Sequence, residues 1–207
     1  DVQMGYLQEK FDKKGLMILY TAPWPGQGFY TKFPVNSVSD FSGKKLRIYS
    51  TATQQMGSML GFNATILPFA EIPQAFSTGL IEALFTSPQT GIDIQAWDNT
   101  KHFTYAGAIF SKNAVVVTKK AFNALSKGDQ SNMLAAAKKA ELRGWEMSAE
   151  TTKKQIDILK KNGMSSKNAP DEVISKMKSI GLEMMKNWRS KASPEANAVL
   201  DRYLSMR

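Results

Sequence analysis

Apolar residues recur along this chain at two spacings, one helical and one of two residues, and the changes between them mark the elements. Val2, Tyr6, Leu7 and Phe11 share a helical face over residues 2–13, and Gly15 is placed to end that helix. Leu16 to Tyr20 is a short apolar run that predicts a buried strand. Residues 21–30 are rich in Pro and Gly, unsuited to a helix or a central strand, and hold Trp24, Phe29 and Tyr30. Those aromatics either line a cleft or pack on the core.

After the turn Asp40-Phe41-Ser42-Gly43, a period of two returns. Leu46 and Ile48 fall on one strand face, and Lys45, Arg47 and Tyr49 on the other. The pattern then predicts a helix over 53–60 ended by Gly61, a strand over 65–68 and a helix over 69–79. A strand over 81–85 and a polar loop over 86–91 follow. Strands over 103–105 and 113–118 come next. A long amphipathic helix spans about 131–161, with Met133, Leu134, Ala137, Leu142, Trp145, Ile156 and Leu159 as its buried positions. Helices over 171–189 and 195–205 close the chain. Strand, helix, strand, helix, strand in so short a space is the signature of an α/β fold with parallel crossovers.

In such a sheet, ligands are held at the C-terminal ends of the strands. Arg47 sits near such an end. It belongs either to a solvated lysine-arginine run or to a site where its planar fork meets a carboxylate. The net charge of +9 calls for an anionic partner. A basic nucleic-acid-binding module is the alternative function, but the lysines are dispersed along helices with no aromatic interleave or reading motif. The composition is that of an ordinary globular domain, 43% hydrophobic and 22% charged, and no run approaches the ~18 apolar residues of a membrane span.

The chain has no cysteine and a single histidine, His102, which excludes thiolate sites and leaves no zinc site of the usual kind. A hydrolase built on His102 lacks its nucleophile elbow. Without a phosphate-binding glycine loop or a carboxylate pair, the sequence reads as a non-enzyme needing no cofactor or metal.

Several stretches together resemble the solute-binding proteins of TRAP (tripartite ATP-independent periplasmic) transporters. Asp40 to Arg47 is similar to the family's Asp-apolar-x-Gly-x-Lys-apolar-Arg approach to its ligand strand. Leu60-Gly61 with Leu67-Pro68-Phe69-Ala70-Glu71-Ile72, then Gln74 to Ala83, and Ala114 to Leu125 resemble its later segments, in order. The resemblance implies a two-lobed periplasmic-binding-protein fold of the α/β class, with parallel or mixed sheets and a long helix bridging the lobes. It implies capture of an organic acid between the lobes, delivery to the membrane permease subunits, and a periplasmic location, although no signal peptide precedes the first helical pattern.

Matched residue by residue, Arg47 takes the carboxylate, Ser50 assists it, Phe69 lines the cleft and Thr86 is a polar contact. Where the family often has a second arginine, this chain offers Gln27 and Tyr30, and Trp97 belongs either to the site or to the core. One guanidinium among aromatics points to a monocarboxylate with an apolar or aromatic body. By the same resemblance the chain corresponds to the C-terminal portion of such a protein. Residues 1–45 and 112–151 are then a remnant of the first lobe with the bridging helix, and residues 46–111 and 152–207 the second lobe. The remnant is expected to expose apolar surface, self-associate and weaken binding.

Overall fold

The computed structural model describes residues 2–206. In chain order its elements begin with α1 (Met4–Asp12), β1 (Leu16–Pro23), β2 (Gln27–Thr31), β3 (Lys45–Ile48), α2 (Thr51–Met59) and β4 (Asn63–Ile66). Next come α3 (Ile72–Ser77), β5 (Ala83–Thr86), α4 (Pro88–Asp93), β6 (His102–Ala108) and β7 (Lys112–Thr118). The last are α5 (Lys119–Asn123), α6 (Lys127–Lys161), β8 (Ser165–Asn168), α7 (Asp171–Arg189) and α8 (Pro194–Leu204). They gather into two units, one of residues 1–23, 112–147 and 184–207, the other of residues 24–111 and 148–183. Helices α6 and α7 each contribute residues to both.

In the first unit β1 and β7 pair antiparallel from Leu16↔Thr118 to Pro23↔Lys112. Helix α1 is tied to β1 where Ile18 N–H donates to Gln8 Oε1 at 3.2 Å. Glu141 of α6 accepts from both the backbone N–H and the hydroxyl of Thr21, at 3.1 and 3.0 Å. Leu134, Leu142 and Trp145, expected to be buried, are about half exposed, because this stretch of α6 belongs to a unit whose described residues form a sheet of two strands. Residues 184–207 join this unit rather than the other, since α8 packs on α1.

The second unit is built on a six-stranded sheet in the order β4-β3-β5-β2-β6-β8. Strand β3 is parallel to β4 and β5, β2 is antiparallel to β5 and β6, and β8 is parallel to β6. Five strands therefore run one way and β2 alone is reversed. Residues 24–45 belong here because β2 is hydrogen-bonded on both edges. That overturns the expectation of a loop over 21–30: Gln27–Thr31 is a central strand, buried at every position. The polar stretch after β5 likewise is a helix, α4, with Ser87 as N-cap accepting from Thr90 N–H and Pro88 in its first turn.

Registered neighbours share a face. Phe29 and Phe85 lie on one, where Phe41 and Phe62 join them with ring centroids 4.5–5.8 Å apart. Tyr30, Leu84 and Phe103 lie on the other, under Ile72, Phe76, Ile81, Leu159 and Met164. Leu159 is the fully buried contribution of α6 to this core. Leu159→Ala is expected to cost about 2–5 kcal/mol, read as a lower midpoint with an unchanged slope in urea denaturation.

Candidate functional site

The site grows from the turn that launches β3. The Asp40 carboxylate accepts from the N–H groups of Asn36 and Ser37 at 2.7 and 2.9 Å, and these bonds hold its pKa below the usual carboxylate range. Gly43, at φ 69°, completes the reversal, and its N–H reaches Gly61 O at 2.9 Å. Strand β3 then places Leu46 and Ile48 on the phenylalanine face and Arg47 on the opposite face, in register with Leu84.

Arg47 is only 4% exposed. Its Nε and Nη2 both donate to Leu67 O, at 3.0 and 2.8 Å, where the chain leaves β4. That clamp uses one edge of a five-donor group. Among the described residues no carboxylate pairs with Arg47, and its remaining donors are not sealed from solvent. Burial lowers its pKa. A buried cation held in one orientation, with donors left over, can receive an anion.

Thr86 ends β5 two residues beyond the Leu84 that faces Arg47, and so shares its face. It is 6% exposed, and its hydroxyl makes no hydrogen bond to the described residues. Gln27 opens β2, opposite Ala108 and one step past the Gly28↔Thr86 pair. Its Nε2 donates to Ile109 O at 3.2 Å and to Ser111 Oγ at 3.3 Å, and its Oε1 accepts from the Tyr49 hydroxyl at 3.0 Å. Ile109 sits at φ 56°, a region a β-branched residue rarely visits, so this bond anchors a strained backbone carbonyl. Because β5 lies between β3 and β2, the Tyr49 side chain crosses the end of β5 to reach Gln27. Arg47, Thr86, Tyr49 and Gln27 thus gather at the C-terminal edge of β3 and β5.

Other residues singled out by sequence lie elsewhere. Tyr30 is fully buried, its ring 4.4 Å from that of Phe103 and its hydroxyl donating to Ser87 O and Pro88 O at 3.2 and 3.4 Å. It is a core residue that fixes the start of α4, its one hydroxyl hydrogen is used there, and full burial keeps its oxygen from a ligand. Trp97 is half-buried against the same core. The Ser50 hydroxyl caps α2, accepting from Thr53 N–H at 3.2 Å. Phe69 is 53% exposed and borders a shallow cavity of about 320 Å³ with Pro73, Asp93, Ile94 and Asp98, which Arg47 does not line. His102 is half-buried in β6 opposite Thr31. Strand alternation puts Tyr49 on Arg47's face, but its reach across β5 is a tertiary fact with no signal in the sequence.

Residues 3–191 match the family described as bacterial extracellular solute-binding protein, family 7. A Bordetella pertussis extracytoplasmic solute receptor binding pyroglutamic acid is 38% identical, with a TM-score of 0.94 over 98% of this chain and 67% of its own. A second B. pertussis receptor for pyroglutamic acid is 34% identical, with a TM-score of 0.94 over 99% of this chain and 68% of its own. A TRAP solute-binding protein from an unidentified marine microbe, in complex with co-purified pyroglutamate, is 31% identical, with a TM-score of 0.92 over 99% and 67%. Receptors with bound galacturonate, orotic acid or gulonate, at 16–19% identity, share the fold. The mixed α/β sheet with a long helix agrees with the fold of these receptors, and by its sequence match this chain belongs to the DctP family of extracellular solute-binding proteins that serve TRAP transporters.

Proposed function

We propose that this protein captures a small cyclic monocarboxylate in the periplasm, pyroglutamate first among the candidates, and hands it to a membrane permease. Arg47 takes the carboxylate on the donors that Leu67 O leaves over, and Thr86 offers its free hydroxyl on the same face. The observation that carries this reading is a buried guanidinium, clamped in place, with no anionic partner among the described residues. Such a group is costly unless something negative completes it.

The ligand class draws support from three relatives above 30% identity that bind pyroglutamate or pyroglutamic acid. Pyroglutamate carries one carboxylate on a compact lactam ring. It keeps the single charge expected for a site with one guanidinium and replaces the aromatic body with a polar ring.

Titration calorimetry tests this with pyroglutamate, with 2-pyrrolidinone, which is the same ring without the carboxylate, and with the sugar acids gulonate and galacturonate. Saturable binding of pyroglutamate with no detectable binding of pyrrolidinone is expected. Equal binding of the two rings would remove the role of Arg47, and preference for a sugar acid would replace the ligand class.

A further inference from the structure

We propose that Tyr49 selects among carboxylates by accepting a hydrogen bond from an N–H group beside the ligand's carboxylate, and that Gln27 is the positioning residue that makes the phenol an acceptor. The inference rests on the reading of Arg47 as the carboxylate anchor.

The argument is one of hydrogen bookkeeping. A backbone carbonyl can only accept, so the Gln27 side-chain atom 3.2 Å from Ile109 O must be the amide nitrogen. The same nitrogen serves Ser111 Oγ at 3.3 Å. The amide oxygen is thereby turned toward Tyr49, 3.0 Å away, and an amide oxygen also only accepts. The phenol has one hydrogen, and it is committed to Gln27. Burial raises the Tyr49 pKa above its ordinary value, so that hydrogen stays in place at working pH.

What Tyr49 offers a ligand is therefore lone pairs. The Ser111 hydroxyl, close enough to favour the phenolate, can occupy one of them and leaves the other. Gln27 itself, 3% exposed with both amide hydrogens placed, has no donor left for a ligand. Tyr49 is 36% exposed and lies two residues beyond Arg47, on the side of the sheet that alternation gives to Arg47.

A cation and a neighbouring acceptor are complementary to an acid that carries a hydrogen-bond donor on the carbon next to its carboxylate. The ring N–H of pyroglutamate is such a donor. An ether oxygen or a second carboxylate in that place would meet the lone pair of Tyr49 and be rejected, so the pair of residues discriminates within the carboxylate class.

The test compares pyroglutamate with 5-oxotetrahydrofuran-2-carboxylate, the lactone in which ring oxygen replaces N–H, by calorimetry on the wild-type protein and on Tyr49→Phe and Gln27→Met. Wild-type protein is expected to favour the lactam by about 10-fold or more. In Tyr49→Phe the ratio should collapse toward one, through loss of lactam affinity. Gln27→Met, which frees the phenol hydrogen to turn outward, should lower the ratio in the same direction. The ratio is the informative quantity, because damage to the fold weakens both ligands alike. An undiminished lactam preference in Tyr49→Phe would overturn the proposal while leaving the role of Arg47 intact. Failure of the wild-type protein to bind either ring would overturn the ligand reading and the selection by Tyr49 together.

Discussion

Replacing Arg47 with methionine is expected to weaken pyroglutamate binding by about 10-fold to more than 100-fold while changing the stability of the ligand-free protein by no more than about 1 kcal/mol. The first figure follows from a charge-assisted hydrogen bond, about 1.5–3 kcal/mol, converted to affinity. The second is a balance of opposed effects. Removing a buried cation with no counter-charge relieves desolvation, the same burial that depresses its pKa. Against that, Leu67 O loses the two donors that clamp it. That carbonyl lies just past the end of edge strand β4, in a half-buried residue, where water can replace the lost partner. Arg47→Lys should also lose affinity, because an ammonium cannot hold Leu67 O and a carboxylate in one planar fork.

Calorimetry and thermal melts of the three proteins, each with and without ligand, read both quantities. At 100 times its Kd, a ligand adds about 2.7 kcal/mol to the stability of the protein that binds it. That gain should vanish in Arg47→Met while the unliganded melt stays close to wild type. A large drop in the unliganded melt with retained affinity would recast Arg47 as a structural residue that ties β3 to the segment after β4.

Arg47 could be found from sequence because strand alternation is local. Leu46 and Ile48 announce a buried face, and an arginine between them must leave the sheet on the other side. The resemblance to a receptor family then gave that side a purpose. Strand β2 was hidden for a different reason: Pro23, Pro25, Gly26 and Gly28 carry strong turn signals, whereas the space that demands glycine is created by β6, over seventy residues later. Tyr30 and Trp97 were candidates for the site because an aromatic near a binding loop serves a core equally well, and only the partners of the Tyr30 hydroxyl separate the two. Helix α4 did have a readable start in Ser87-Pro88, outweighed locally by the polar residues and glycine that follow. The reach of Tyr49 to Gln27 had no local signal at all, since it depends on β5 lying between two strands far apart in the chain.

Gly28→Ala is expected to destabilise the protein by about 3 kcal/mol. Gly28 has an ordinary strand conformation, so backbone freedom is not the issue; space is. A Cβ there would lie 2.5 Å from Thr104 O and 2.8 Å from the Phe103 ring. The carbonyl belongs to β6, paired with β2, and cannot retreat without opening that ladder. The ring is held in turn by Tyr30, which fills the position where a Cβ on Gly91 would go. Neither neighbour can give, so the added methyl acts as overpacking in a close-packed interior.

For a chain of this length the cost should appear as a melting temperature lower by roughly 6–12 °C. Gly5→Ala supplies the control: a Cβ there meets nothing within 4 Å, and Gly5 lies in helix α1, so the same exchange should stabilise by up to about 1 kcal/mol. Because Gly28 faces Thr86 across the β2–β5 ladder, its replacement should also disturb the edge that carries Arg47 and Tyr49, and ligand affinity should fall together with stability. A Gly28→Ala protein that melts with the wild type would mean that β2 does not run between β5 and β6 as described. The placement of Gln27, and with it the orientation of Tyr49, would fall too.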